Sequence, residues 1–374
     1  MTIKKAIGKI HLWLGLSSGL VVVFLGLTGC ILAFQREIET VTKPYQYVRP
    51  EGAATVSPSR MLEIATRLLP GKVAHSVTYG TADKAAVITY YHDKPAYYYL
   101  AYIDPYTGAV LRLNDMSEDF FRVVLDGHFY LWLPPDIGKP IVASATLIFL
   151  VMMITGIVLW WPRNKAARKQ RFTIKLNARW RRKNYDLHNV LGFYMSWVVI
   201  FIAITGLAWG FQWAAASVYW ATSGGKKAVA FYEPVSHRGN GTKQELPMVD
   251  RVWQKMNAEY PHAETIEIHY PETDTSVIAA GANPDVSTYW KADHRYFDQY
   301  SMKELSVTHM YGRLKDTKAA DKIARMNYDI HVGAVLGLPG KIMAFFASLL
   351  AASLPVTGFL IWRGRRRKKN PLLP

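Results

Sequence analysis

The chain has 374 residues, half of them apolar, and a formal net charge of +17. A basic protein of this length could bind nucleic acid, so the position of the charge along the chain must be considered first. The single cysteine, Cys30, excludes an internal disulfide and a cysteine-rich metal or iron–sulfur site.

Four long apolar stretches indicate a membrane protein. A helix needs about 20 apolar residues to cross a hydrocarbon core of roughly 30 Å, and none of these stretches has a charged residue at its centre. The predicted spans are approximately 10–34, 141–161, 190–213 and 342–362.

The positive charge is concentrated before the first span, between the second and third, and after the fourth. These segments together contain one acidic residue, Asp186, whereas the charges of the remaining chain nearly balance. The positive-inside rule assigns the basic segments to the cytoplasm. We therefore expect a multi-pass protein of the bacterial inner membrane, in contact with membrane lipid, with both termini cytoplasmic and no nucleic-acid partner.

Cys30 also raises a question of processing. The sequence Leu27-Thr28-Gly29-Cys30 is similar to a bacterial lipoprotein cleavage box. However, the apolar run continues to Phe34, and a Thr-Gly pair recurs in the other three spans. We therefore predict an uncleaved helix, with the pair as part of the architecture. The recurring pairs are Thr155-Gly156, Thr205-Gly206 and Thr357-Gly358.

The chain is a predicted tandem repeat. Spans 1 and 3 each begin at a histidine, His11 or His188, and carry Gly, Thr, Gly, Phe and Gln at the same offsets of 4, 17, 18, 23 and 24 residues. Spans 2 and 4 are preceded by matching Arg-x5-His motifs, Arg122 to His128 and Arg325 to His331. Two copies that start on the same side are related by an axis along the membrane normal.

The two outer segments repeat as well. Each predicts an amphipathic helix, over 58–69 and 247–260, followed by strand-like alternation. The strand-like runs are 87–91 and 97–103 in the first segment, and 265–270, 276–280 and 287–297 in the second. We therefore predict a small helix-plus-antiparallel-sheet domain in each segment.

This organisation, paired spans around such a domain with a histidine at each span's start, resembles the PepSY-associated transmembrane family, and in detail its iron-regulated siderophore-reductase branch. The resemblance covers nearly the whole chain and implies two periplasmic α+β PepSY-like domains on a four-helix membrane α-helical fold. The predicted divisions are span 1 with a cytoplasmic N-terminus (1–34), domain 1 (35–139), span 2 (140–162), a basic cytoplasmic loop (163–186), span 3 (187–213), domain 2 (214–340), span 4 (341–362) and a basic tail (363–374).

His11, His188, His128 and His331 form two symmetry-related pairs, one at each predicted membrane face. Haem iron takes an imidazole on each side of the porphyrin, with apolar walls and cations near the propionates. We therefore predict these four as ligands of two b-type haems per chain, in agreement with the resemblance to a haem-bearing branch. The alternative is that the histidines only form interfacial hydrogen bonds.

Four further residues are assigned to these haem sites. Gly15 and Gly192 lie one turn after their histidines and would leave room for a flat ring, although Gly15-x3-Gly19 is also a helix-packing motif. Arg122 and Arg325 are close enough in sequence to the outer histidines to reach propionates. On the inner side, Arg163 and Arg363 lie nearest the span ends.

His309 has no counterpart in the first repeat, because it lies in an insertion. Three roles remain open for it: replacing a repeat histidine as a ligand, contacting a substrate, or having no functional role.

A haem site at each face would carry electrons across the bilayer. No GxGxxG motif follows a strand and no P-loop is present, so the electron donor would be a separate cytoplasmic protein, a diffusing carrier or a quinol. The family resemblance implies an outer acceptor, Fe(III) in a ferric siderophore, released as Fe(II). The sequence thus predicts a haem-dependent ferric-siderophore reductase. The competing hypothesis is a non-redox, membrane-anchored regulator of a periplasmic protease or other partner.

Overall fold

The structure is a computed structural model that describes residues 2–162, 164, 168, 171–238 and 246–369. The chain divides into two compact units, each built from separated segments. The helical unit comprises Met1–Gln35, Val123–Val218 and Asn327–Pro374, and the sheet unit comprises Arg36–Arg122 and Tyr219–Met326. Arg163, one of the two predicted inner cations nearest the span ends, is outside the described residues.

The helical unit is a bundle of four long apolar helices. Among the described residues, four helices are long and apolar enough to cross a membrane: span 1, Ile3–Ala33; span 2, Pro135–Trp160; span 3, Trp180–Gly210; and span 4, Ala334–Arg366. Span 1 packs on spans 2 and 4, and span 3 packs on the same two helices. Each predicted span is therefore found as a helix, and all four helices begin six to ten residues earlier than the apolar run alone indicated.

Small and apolar side chains fill the centre of the bundle. Ala203, Ala347 and Ala351 pack there with Phe149 and Leu354. Because lipid is as apolar as these side chains, close packing of small residues is what holds such helices together. Cys30 follows this pattern: it is buried inside span 1, and its thiol donates to the carbonyl of Phe345 in span 4 at 3.4 Å.

The sheet unit contains one antiparallel sheet of eight strands: β1 Ala74–Tyr79, β2 Ala86–Asp93, β3 Ala96–Ile103, β4 Val110–Asp115, β5 Thr265–His269, β6 Val277–Asn283, β7 Asp293–Asp298 and β8 Glu304–Leu305. Their order in the sheet is β4-β3-β2-β1-β5-β6-β7-β8. The first four strands come from the first outer segment and the last four from the second. Strands β1 and β5 join them, with Ser76 opposite His269 and Thr78 opposite Glu267. The sequence predicted a separate sheet in each segment, whereas the structure joins the two halves at β1 and β5. Pairing these two strands removes two open edges, which are unfavourable on an exposed sheet.

Helices α3 (Pro58–Leu68) and α9 (Met248–Glu259) cover one face of this sheet and enclose its core. Met61 and Ala65 of α3, and Val252 and Met256 of α9, are fully buried against the sheet. Along β5, Ile266 and Ile268 point into this core, while the residues between them point to the opposite face. That opposite face is polar along β1 and β5.

The elements outside the long spans have these bounds. The helices are α2 Gln35–Thr42, α3 Pro58–Leu68, α4 Phe120–Tyr130, α8 Gln212–Thr222, α9 Met248–Glu259, α10 Ala319–Arg325 and α11 Asn327–His331. Helices α1 and α5 are spans 1 and 2, and α12 Gly337–Lys369 contains most of span 4. Span 3 consists of α6 Trp180–Asp186, the π-helical turn Leu187–Leu191 and α7 Gly192–Gly210.

Candidate cofactor sites in the helical bundle

Each of the four repeat histidines is hydrogen-bonded to the threonine of one Thr-Gly pair. In every case the imidazole Nδ1 lies 2.8–2.9 Å from the threonine Oγ1. The histidine and the threonine always belong to different helices, so the contact joins two elements of the bundle. The pairs are His11 with Thr155, His128 with Thr28, His188 with Thr357, and His331 with Thr205.

The partners of the threonines fix the tautomer of the histidines. Each threonine hydroxyl also lies within 3.0 Å of the backbone carbonyl four residues earlier in its own helix. A carbonyl can only accept, so the hydroxyl proton goes there and Oγ1 accepts from the imidazole Nδ1–H. At His331 the carbonyl of Ile202, 3.0 Å from Nδ1, requires the same proton position. The Nε2 atom therefore carries the lone pair, as a metal ligand requires.

The glycine of each Thr-Gly pair makes room for the imidazole. A Cβ atom built on Gly358 would lie 3.2 Å from Cε1 of His188, and one on Gly206 would lie 3.3 Å from Cε1 of His331. At Gly156 and Gly29 the corresponding distances, to His11 and His128, are 3.5 and 3.6 Å. Each Thr-Gly pair, which we call a histidine seat, thus supplies the acceptor through its threonine. A side chain at Gly358 or Gly206 would crowd the imidazole, whereas the distances at Gly156 and Gly29 are those of ordinary contact.

The two histidine pairs lie at opposite ends of the bundle. His11 contacts the C-terminal part of span 2, and His188 contacts the C-terminal part of span 4. His128 and His331 contact the C-terminal parts of spans 1 and 3. Along span 1, His11 and Thr28 are separated by about 26 Å at 1.5 Å per residue. This separation is close to the thickness of a hydrocarbon core.

At the end of the bundle that is predicted to face outward, the rings of His128 and His331 lie close together, and we call them the outer pair. Their centres are 6.2 Å apart and their planes are inclined at 72°. Because metal–imidazole bonds are about 2 Å long and a ring nitrogen lies roughly 1.1 Å from the ring centre, two imidazoles on opposite sides of one iron have centres about 6.2 Å apart. The spacing of this pair therefore fits bis-histidine ligation.

Both outer histidines are neutral under ordinary conditions. Burial, followed by the nearby imidazole of His331, lowers the pKa of His128 to about 3. Burial also lowers the pKa of His331 to about 4, although its bond to the Ile202 carbonyl acts in the opposite direction. A neutral imidazole is the form that binds metal. Trp209 provides an aromatic wall, its ring centre 5.1 Å from that of His331.

Two asparagines support the histidines of the second repeat. Asn184 and Asn327 each lie four residues before a ligand candidate, His188 or His331. Their amide nitrogens donate to the backbone carbonyls of Thr357 and Thr205, at 3.0 and 3.1 Å. These are the same threonines that the two histidines contact. In addition, His188 lies in the π-helical turn Leu187–Leu191, a deviation that is frequent at functional sites.

Gly15 and Gly192 do not lie beside open space. A Cβ atom on Gly15 would lie 2.8 Å from the terminal methyl of Met152, and one on Gly192 would lie 3.4 Å from a methyl of Leu354. Met152 and Leu354 each precede a histidine-binding threonine by three residues. The two glycines thus lie at helix contacts, as the alternative for Gly15 requires, and their role beside a flat ring stays a prediction.

Arg122 and Arg325 belong to the sheet unit, and their reach toward propionates stays a prediction. Arg122 lies over the ring of Tyr98, with its guanidinium carbon 5.7 Å from the ring centre. Arg325 is buried and donates to the carbonyl of Ala292, while its Nη1 has no hydrogen-bond partner among the described residues. Arg363, near the end of span 4, is exposed.

His309 has both ring nitrogens engaged in the sheet unit. Its Nε2 donates to the carbonyl of Tyr232 at 2.9 Å, and its Nδ1 accepts from the backbone N–H of Tyr311 at 3.2 Å. The side chain is 4% exposed and lies among aromatic rings. This environment favours a structural role over metal ligation.

The geometry defines a membrane protein whose four-helix bundle holds two histidine pairs near its opposite ends. The chain belongs to the family described as the PepSY-associated TM region, whose model matches residues 9–365. No curated protein matches this chain with significance.

Proposed function

We propose that this protein is a two-haem membrane reductase that carries electrons from the cytoplasm to a periplasmic acceptor. The facing pair His128 and His331 carries the proposal, because its ring spacing, neutral state and free Nε2 atoms suit an iron between the rings. The same Thr-Gly seat at His11 and His188 supports a second site at the other end. A b-type haem at each pair would supply one-electron transfer.

The protein's own residues would bind and orient the cofactors. The four threonines hold each imidazole in one tautomer and rotation, which raises its basicity and lowers the entropy lost on ligation. Burial of the outer pair excludes protons and water from the ligating nitrogens. The basic segments, placed in the cytoplasm by the positive-inside rule, put His11 and His188 on the donor side, where a cytoplasmic protein or a quinol would deliver electrons.

The proposed acceptor is Fe(III) in a ferric siderophore. The sheet unit would then contain the two PepSY-like repeats and lie in the periplasm, on the outer side of the inner membrane. One electron converts Fe(III) to Fe(II), which binds hard oxygen donors less tightly and is released from the chelate. The aromatic residues of β2 and β3, among them Tyr91 and Tyr98, offer surfaces for a flat or bulky chelate.

Visible spectroscopy of the purified full-length protein tests the cofactor. We expect a Soret band that shifts on dithionite addition and two haems b per chain by pyridine haemochrome. His331→Ala and His188→Ala should each remove one haem, whereas His262→Gln, at an exposed position, should retain both. Colourless protein from haem-replete cells would overturn the proposal in favour of a non-redox regulator.

Reduction of the substrate is tested separately. The dithionite-reduced protein, freed of excess reductant, is mixed with a ferric hydroxamate in the presence of an Fe(II)-trapping dye. We expect reoxidation of the haem band to parallel Fe(II) release, with at most two irons reduced per chain in a single turnover. A haem band that stays reduced would refute the siderophore assignment while leaving the cofactor assignment intact.

A further inference from the structure

Two histidine and two glutamate side chains form a row of polar contacts where β1 pairs with β5. Nε2 of His75 lies 3.2 Å from Nδ1 of His269. The other nitrogen of each histidine faces a carboxylate: Nδ1 of His75 is 3.1 Å from Glu272, and Nε2 of His269 is 3.5 Å from Glu267. Neither histidine has a partner in the sequence repeat, so sequence comparison of the two halves did not reveal the group.

A β-bulge brings His75 to this face of the sheet. The register of β1 against β2 shifts between Ala74 and Ser76, so His75 is an extra residue in its strand. Ala74 and Val77 both pack in the core, a spacing of three that simple alternation does not allow. Without the bulge, His75 would point into the core with Val77. Bulges of this kind are frequent beside functional sites, where they redirect one side chain.

The hydrogen-bond partners leave two lone pairs facing each other. A carboxylate only accepts, so Glu272 accepts the Nδ1–H of His75, and the carboxylate of Glu267, 3.5 Å from Nε2 of His269, favours a proton on that nitrogen. The remaining nitrogens, Nε2 of His75 and Nδ1 of His269, then carry lone pairs 3.2 Å apart. Two lone pairs at that distance repel unless a cation lies between them. The cation is either a proton or a metal ion.

The angle between the rings also suits a metal ion. Ring centres that are 4.8 Å apart, with planes at 88°, are closer than the roughly 5.4 Å expected for a straight N–H···N bond at this nitrogen separation. With metal–nitrogen bonds of about 2 Å, the observed separations correspond to an N–metal–N angle of about 100°, near the tetrahedral value. The nitrogens thus converge on a point beside the line that joins them.

We propose that His75 Nε2 and His269 Nδ1 bind a divalent transition-metal ion of the Zn²⁺ and Cu²⁺ class. Imidazole nitrogens select such ions, and a carboxylate on the distal nitrogen of each ligand is the usual supporting arrangement. Among the described residues no group of three or more histidine, cysteine or acidic side chains converges as a metal site, so the remaining positions are left to water or an incoming ligand. The side chains of His75 and His269 are 37% and 33% exposed, which gives the ion access.

This site is independent of the haem proposal, and its test uses Zn²⁺ alone. Calorimetric titration of the full-length protein in detergent, after chelator treatment, should show one Zn²⁺ bound per chain. His75→Ala and His269→Ala should each abolish this binding. His262→Gln, on an exposed histidine outside the group, should leave it unchanged.

The glutamates provide variants that keep the fold. Glu272→Gln removes only the partner of His75, and its side chain is 44% exposed, so we expect normal elution and melting but a 10- to 100-fold weaker Zn²⁺ affinity. If wild-type protein takes up no Zn²⁺, or if the histidine and Glu272→Gln variants bind it as wild type does, the shared cation is a proton and the metal site is refuted.

Discussion

At the scale of single residues, the Thr-Gly pairs explain how four histidines are held in a membrane protein. An imidazole among apolar helices needs a partner for its N–H, because an unpaired buried donor costs about 1–3 kcal/mol. The threonine hydroxyl supplies this partner without adding charge. The sequence showed both the histidines and the recurring Thr-Gly pairs, but their offsets of 17 and 18 residues within one span conceal that each histidine uses a pair from another helix.

Removing one threonine hydroxyl should weaken one cofactor site. Thr205→Val keeps the shape of the side chain and deletes the hydroxyl acceptor of His331 Nδ1, which then has the Ile202 carbonyl as its remaining acceptor. We expect haem affinity at the outer site to fall 10- to 100-fold, measured as haem per chain during titration of the apoprotein.

Ser196→Ala is the matched control for this change. Ser196 is buried in the same span, and its hydroxyl bonds only the carbonyl of Phe193. It should retain wild-type haem content. Equal losses in both variants would show that the Thr205 effect is general destabilisation.

Filling one glycine seat should displace one histidine. In Gly358→Val, the new Cβ at 3.2 Å from His188 and its two methyl groups would push the imidazole aside, at a cost of about 1–3 kcal/mol. We expect loss of the inner haem with the outer haem retained, read from the spectrum and from pyridine haemochrome.

Gly364→Val provides the comparison, because a Cβ atom there meets nothing within 4 Å. Its spectrum should match wild type. An unchanged spectrum in Gly358→Val would contradict the role assigned to the glycine.

At the scale of elements, the hydrophobic patterns predicted which helices and strands exist better than they predicted where each begins and ends. Apolar length located all four spans, and the helix predicted over 58–69 is α3, Pro58–Leu68. Strand β1 was missed, because its bulge breaks the alternation of apolar residues. The strand predicted from 287 begins only at Asp293, since Asn283, Asp285 and Ser287 form turns through side-chain hydrogen bonds instead.

The joined sheet should depend on its central core residues. Ile268 of β5 is fully buried beside Val77 of β1, so Ile268→Ala should lower the stability of the sheet unit by about 2–5 kcal/mol. The measurement is thermal or denaturant unfolding followed by tyrosine and tryptophan fluorescence in detergent. Val110→Ala, on edge strand β4 and 44% exposed, should change stability by less than about 0.5 kcal/mol. Similar losses in both variants would argue against a shared core.

At the scale of the whole molecule, charge distribution predicts the orientation. The basic segments precede span 1, connect spans 2 and 3, and follow span 4, and moving them across a membrane is unfavourable. Alkaline phosphatase inserted after the exposed residue Gly52 should be active in the periplasm, and green fluorescent protein at the C-terminus should fluoresce in the cytoplasm. The reverse pattern would contradict the assigned topology and reverse the direction of electron transfer.

The partnership of β1 with β5 also constrains how the protein is made. Ser76 and Glu267, which are hydrogen-bonded, are 191 residues apart in the chain, and two further membrane crossings are synthesised between them. During translation, the first half-sheet must therefore wait with one side of β1 unpaired, a state prone to association with other chains. A ribosome stalled after span 2 should consequently yield a nascent product that needs a chaperone or a neighbouring chain to stay soluble.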